Sequence, residues 1–158
     1  MKKFNMTHSR INYRIVFVDF DNTLCVHSHP IDYTSNLLES KEDACTSWFK
    51  ESYLDKTLVE YLVNLKETNC KIILLSNSGS KQLEVKKYFC EKYVPDLFDD
   101  YVGCSCDCSK YDFIKAYLQK HDLVYVQCLL IDDSAEIINK LERDKICRAI
   151  PPQLVSYK

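Results

Sequence analysis

The chain has 158 residues, enough for one domain that buries roughly two-thirds of the surface its extended form would expose and too few for a second of ordinary size. Its 21 Lys and Arg against 23 Asp and Glu give a formal charge of −2, so net charge indicates neither nucleic acid nor an anionic membrane as partner. No apolar stretch approaches the length of a bilayer-spanning helix. The start, Met1-Lys2-Lys3-Phe4-Asn5-Met6-Thr7-His8, turns polar before a secretory core could form, so the expected location is the cytoplasm.

Residues 1–14 are polar and basic and read as a tail or a short edge element. Ile15-Val16-Phe17-Val18 follows without polar alternation, the pattern of a strand covered on both faces, and runs into Asp19-Phe20-Asp21-Asn22-Thr23. From Cys25 to about Phe49 no clean period appears, and Ser28-His29-Pro30 breaks any local helix. Leu54, Leu58, Tyr61, Leu62 and Leu65 fall at helical spacing, with Thr57-Leu58-Val59-Glu60 as a candidate capping box. A strand over Lys71–Leu75 ends in Ser76-Asn77-Ser78-Gly79. Leu83, Val85 and Phe89 then predict a helix with Lys86-Lys87 on its outer face, stopped before Pro95.

Leu97–Val102 reads as a short strand, and Phe113, Ile114, Tyr117 and Leu118 as one side of a helix. Val126–Ile131 forms a strand that ends in Asp132-Asp133-Ser134; Ile137, Ile138 and Leu141 mark a helix, and Ile146–Ile150 a last strand before Pro151-Pro152. Strand and helix alternate five times. The expected fold is therefore α/β: a three-layer sandwich with a five-stranded, mostly parallel, Rossmann-like sheet, residues 1–158 forming one domain and 25–56 a small flap or minimal cap.

If the strands are parallel, their polar endings converge on the rim where open α/β sheets place ligands. Two carboxylates 4 Å apart repel by about 4 kcal/mol at an effective dielectric near 20, and a phosphate adds to that repulsion. A divalent cation relieves both, and an oxygen-only site suits Mg2+. Thr23 is a candidate to hold the first loop, because Thr readily bonds local backbone. Ser76 and Asn77, ahead of a helix whose first N–H groups lack partners, can hold phosphate oxygens, although an N-cap serine is an equally simple reading and the two are compatible. Lys110 opens a helix, where the dipole disfavours a cation, unless its ammonium reaches back to Asp19, phosphate or both. Lys115 lies too far past the helix start to compete.

Adjacent residues cannot both face one metal from a regular strand, so Asp132 is the expected ligand and Asp133 the residue that orients Lys110 or the metal's surroundings. Asp133-Ser134-Ala135-Glu136 also fits a helix cap with its reciprocal Glu. His27, His29, Tyr33, Trp48 and Phe49 are candidates to line the flap, with core packing as the competing role. Nine cysteines, an odd number and several in apolar company, read as buried thiols rather than a disulfide framework. Cys104, Cys106 and Cys108 are spaced by single residues, unlike the usual zinc knuckle, and read as loop thiols with metal binding as the alternative.

Asp19-Phe20-Asp21-Asn22-Thr23, followed by Ser76, Lys110 and Asp132-Asp133, resembles the ordered four-motif set of the haloacid dehalogenase-like hydrolases, predominantly magnesium-dependent phosphatases, in their small-cap form. The resemblance spans about Ile15 to Ile150; Ser109-Lys110-Tyr111-Asp112 departs from the commoner lysine-proline form. It implies that Asp19 is the nucleophile and Asp21 the general acid and base. It also implies that magnesium is held by Asp19, the backbone carbonyl of Asp21, and Asp132. The function so implied is hydrolysis of a phosphomonoester, on a small molecule or an exposed phosphate of a macromolecule, through an aspartyl-phosphate. Alternatives are a phosphatase specific for phosphoprotein or nucleic-acid ends, and a phosphate-sensing or interaction domain with little turnover.

Overall fold

A computed structural model describes residues 12–105 and 107–155. In chain order the elements are β1 (Ile15–Val18), β2 (Cys25–His27), α1 (Lys41–Phe49), β3 (Ser52–Leu54), α2 (Lys56–Glu67), β4 (Lys71–Asn77), α3 (Ser80–Tyr93), β5 (Asp100–Cys104), α4 (Lys110–Lys120), β6 (Cys128–Ile131), α5 (Ala135–Arg143) and β7 (Arg148–Ile150). Residues 1–11, and Cys106 of the cysteine cluster, lie outside the described residues. No helix among those described is long and apolar enough to cross a membrane.

Five strands form one sheet in the order β5-β4-β1-β6-β7, every neighbouring pair parallel. Its central strand, β1, is buried along its whole length, which is why its sequence lacks polar alternation. Successive side chains divide between two cores. Val16, Val18, Ile72 and Leu74 pack with Leu58 and Leu62 of α2 and with Val85 and Phe89 of α3. Phe17, Ile73 and Leu130 meet Ile114 and Leu118 of α4 and Leu141 of α5 on the other face. The result is a three-layer sandwich with β1 and β6 side by side at its middle. From β1 the order runs outward through β4 to β5 on one side and through β6 to β7 on the other, so the topology reverses between β1 and β6.

Residues 25–56 carry more regular structure than the sequence indicates. β2 and β3 pair antiparallel, with α1 between them in the chain. The side chain of Ser40 caps α1 by accepting from Asp43 N, and Ala44, Cys45, Trp48 and Phe49 face inward. Three further expectations need correction. α2 is capped by Asp55, whose carboxylate accepts from Leu58 N at 3.0 Å, so the cap is not the expected Thr57–Glu60 box. Ser134 precedes α5 without a side-chain cap bond, and Asp132 accepts from its N–H at 2.9 Å, which leaves Asp133 and Glu136 outside any cap. Lys86 is not on the outer face of α3: its side chain is fully buried.

β5 approaches the turn after β4 closely, with Ser78 N donating to Cys104 O at 3.1 Å. Gly103 makes this possible, since a Cβ there would sit 2.7 Å from Ser78 O, closer than real contacts allow. Gly103→Ala should therefore push the 77–79 turn outward. We expect a loss of about 1–3 kcal/mol in urea unfolding, as for other overpacked positions; an unchanged midpoint would show that the turn yields freely.

Candidate active site at the carboxyl rim

The carboxyl ends of β1, β4 and β6 open into a cleft of about 830 Å³ lined by Asp19, Asp21, Asn77, Ser78, Lys110 and Asp132, among others. Asp19 directly follows β1 and Asp132 directly follows β6, so the pairing of these two strands places both carboxylates beside each other at the switch point. Both are buried. Oxygens of Asp19, Asp132 and the exposed Asp133 lie within 4.8 Å of one another, a set able to coordinate a divalent cation.

Lys110 enters from the third side. Ser109 caps α4 by accepting from Asp112 N at 3.1 Å and donates to the Asp112 carboxylate, which fixes Lys110 as the first helical residue. Its ammonium donates to Asp19 Oδ1 at 2.7 Å and to Asp132 Oδ2 at 2.6 Å. Lys110 is thus bonded by Asp132 and not by Asp133, and of the two roles expected of Asp133 only the one toward a metal's surroundings remains. Lys115 is exposed. Thr23 does more than hold backbone: its hydroxyl donates to Asp19 Oδ2 at 3.1 Å, so both oxygens of Asp19 are oriented.

Charge is unbalanced here. Among the described residues one ammonium is bonded to the two buried carboxylates, with a third carboxylate at the rim. Burial pushes Asp19 up to about 7 against the opposing charge of Lys110, and the neighbouring Asp132 adds to the rise. Burial would lower Lys110, but the two carboxylates outweigh it and raise its value. A dication would balance three carboxylates and one ammonium, so this donor set fits a hard metal ion.

Asp21 lies two residues on, past β1, after which Asn22 takes a positive φ of 53° suited to Asn. The Asp21 side chain belongs to a second set of partners. His27 Nε2 lies 2.7 Å from Asp21 Oδ1 and acts as donor to that carboxylate, while Nδ1 lies 2.7 Å from Ser52 Oγ. Tyr33 OH donates to the same Oδ1. Lys86 Nζ donates to Oδ2 at 2.7 Å. Burial alone would raise Asp21, but the His27 bond, the Lys86 charge and the Tyr33 bond hold it down to about 2. Burial and the facing Asp21 push Tyr33 upward.

Ser76 also belongs to this second cluster. It lies inside β4, fully buried, sharing a 3.0 Å hydrogen bond with Ser78 Oγ and accepting from Lys86 at 2.9 Å. Asn77, Ser78 and Gly79 line the cleft, ahead of the first N–H groups of α3. Of the aromatic flap candidates, Trp48 and Phe49 are buried, Phe49 stacking on His27 with centroids 5.8 Å apart. His29 is exposed near Glu51. Cys104 is buried and Cys108 exposed, both free thiols.

Lys86 is the site residue that sequence reasoning missed. The signal was present: Lys86 lies three residues after Leu83 and three and four before Phe89 and Cys90, on the apolar side of α3.

The backbone is similar to solved hydrolases. One is a haloacid dehalogenase-like family hydrolase from Streptococcus pneumoniae, at 17% identity and a TM-score of 0.58, covering 87% of this chain and 83% of that one. Another, from Ehrlichia chaffeensis and described as a hydrolase of the same superfamily, matches at 18% identity and 0.57, covering 93% and 92%. The cobalt-bound deoxy-D-mannose-octulosonate 8-phosphate phosphatase of Haemophilus influenzae matches at 12% identity and 0.57, covering 89% and 69%. No family model and no curated protein matches the sequence. The chain has the fold of the haloacid dehalogenase-like hydrolases, with a carboxylate cluster at the carboxyl rim of its sheet.

Asp19 gives this cluster a pH signature. Its folded value, about 7, exceeds the ordinary 3.8, so between those values the native state keeps a proton the unfolded chain has released. Metal-free stability should therefore fall as pH rises from about 4 to about 7 and level off above. Asp21, depressed to about 2, acts in the opposite sense below that window: its contribution is lost as pH falls. Urea unfolding across pH should show a flatter fall in Asp19→Asn; an identical slope would place the titrating group elsewhere.

Proposed function

We propose that the protein is a magnesium-dependent phosphomonoester hydrolase of the haloacid dehalogenase-like type, one domain with residues 25–56 as a minimal cap, working through an aspartyl-phosphate on Asp19. The observation that carries this reading is the meeting of Asp19, Asp132 and Asp133 at the ends of two adjacent strands, with the Lys110 ammonium bonded to the first two. Asp19, Asp132 and Asp133, with the backbone carbonyl of Asp21, would hold the ion. Bound there, Mg2+ supplies positive charge to the carboxylates and to the phosphoryl oxygens.

The rest falls to the chain's own groups. Asp19, its carboxylate fixed by Thr23, attacks phosphorus in line as the ester P–O bond breaks, leaving phosphate on its side chain. Lys110 takes up charge from the phosphoryl oxygens, and Asn77, Ser78 and the first N–H groups of α3 hold them, with Ser76 bracing Ser78 from behind. Asp21 gives a proton to the leaving oxygen and then takes one from the water that opens the acyl phosphate. His27, Tyr33 and Lys86 favour its ionised form, the one used in the second half. Protonation for the first half requires at least one of those bonds to relax. The partner is a phosphorylated substrate, a small molecule or an exposed phosphate, admitted by an open cleft and screened by the flap that carries Tyr33.

Phosphate release from 4-nitrophenyl phosphate tests this reading. Wild type should turn over with Mg2+ and stop with chelator, and Asp19→Asn should fall to the rate of a protein-free control. Full metal-dependent turnover in Asp19→Asn would exclude the mechanism.

A further inference from the structure

A fully buried lysine is costly, since removing an ammonium from water takes several kcal/mol even after relaxation, and an apolar side chain of similar volume fills such a space at lower cost. Lys86 has three donors and all three are used: Asp21 Oδ2 at 2.7 Å, Ser78 Oγ at 2.7 Å and Ser76 Oγ at 2.9 Å. These partners come from two segments with different proposed tasks, the loop after β1 that carries Asp21, and the end of β4 with the turn that follows it, which carries Ser76 and Ser78. The ammonium also sits 4.7 Å from the centroid of the Tyr33 ring, whose hydroxyl reaches the other oxygen of Asp21. It lies 5.3 Å from the Phe20 ring as well, so its surroundings are aromatic walls and three polar partners.

We infer that Lys86 is a positioning residue for proton transfer: it locks the Asp21 carboxylate at a fixed offset from the Ser76 and Ser78 hydroxyls, and so sets where the leaving oxygen of a phosphate seated on the β4 loop meets its acid. The inference rests on the phosphatase reading and deepens it. Lys110 acts on the nucleophile and the phosphoryl oxygens; Lys86 touches neither substrate nor Asp19 and works through Asp21. The consequence is a selective one. A poor leaving group needs the proton and a good one hardly does, so misplacing Asp21 penalises alkyl phosphates far more than aryl phosphates.

The test compares kcat/KM for 4-nitrophenyl phosphate and a simple alkyl phosphate in wild type, Lys86→Met, Asp21→Asn and the double variant. Lys86→Met should lose about tenfold or more beyond its aryl loss on the alkyl substrate, within the range general acids supply. In Asp21→Asn the same replacement should change that ratio no further. Equal losses on both substrates, or losses that multiply in the double variant, would reduce Lys86 to a structural role and overturn the inference. A urea-unfolding cycle over the same four proteins reads the contact without turnover. Lys86→Met leaves the half-buried Asp21 carboxylate without its ammonium, with only the His27 and Tyr33 bonds on the other oxygen, so it should unfold more easily than wild type or not fold, and the double variant should regain stability. No recovery would overturn the lock. Inactive wild type with a coupled unfolding cycle would instead sink the phosphatase reading while leaving the contact established.

Discussion

One ammonium stands between two buried carboxylates, and most of the site follows from that contact. Lys110 bonds Asp19 and Asp132 at 2.7 and 2.6 Å, tying α4 to the ends of β1 and β6. It does not neutralise them both, and burial, with the neighbouring Asp132, drives Asp19 upward against the charge of Lys110. Such an arrangement is unfavourable as pure scaffolding, where an apolar set of similar volume would hold the same elements together at lower cost. A divalent cation would offset the excess of negative charge.

The fold makes the contact inevitable. β1 and β6 pair in register from Ile15 opposite Cys128 to Val18 opposite Ile131, so the next residue of each strand, Asp19 and Asp132, must emerge side by side. Both strands are buried on both faces and flanked by other strands, which removes the freedom that would let the carboxylates drift apart. β4 lies on the other side of β1 and delivers the Asn77-Ser78-Gly79 turn to the same rim, where Gly103 lets β5 close against it. Two electrostatic clusters result: Lys110 with Asp19 and Asp132, and Lys86 with Asp21. Asp19 and Asp21, two residues apart in sequence, thereby occupy different surroundings, one driven up and the other down.

Much of this was legible in the chain. Unbroken apolar runs ending in Asp19, Ser76 and Asp132 announce interior parallel strands, because only a strand covered on both faces lacks alternation. Lys110 was legible through its conflict with the helix dipole, a local misfit with a long-range cause. Two things were not. The small elements of residues 25–56 are three-residue strands and a nine-residue helix, too short to establish a period against Ser28-His29-Pro30 and the polar stretch after it. Lys86 was hidden by its neighbour, since Lys86-Lys87 reads as a solvated pair, although its spacing from Phe89 and Cys90 puts only one of the two on the apolar side. A charge on a core face is the kind of local disagreement that marks a functional position.

The central claim is that Asp19 carries the phosphoryl group. Acid-quenching the protein during turnover of an excess of aryl phosphate and sequencing its peptides by mass spectrometry measures this directly. The account predicts one phosphoryl group on the peptide containing Asp19, removed by hydroxylamine as an acyl phosphate is. Phosphate found instead on Ser76, His27 or another side chain, or turnover with no modified peptide at any quench time, would contradict it.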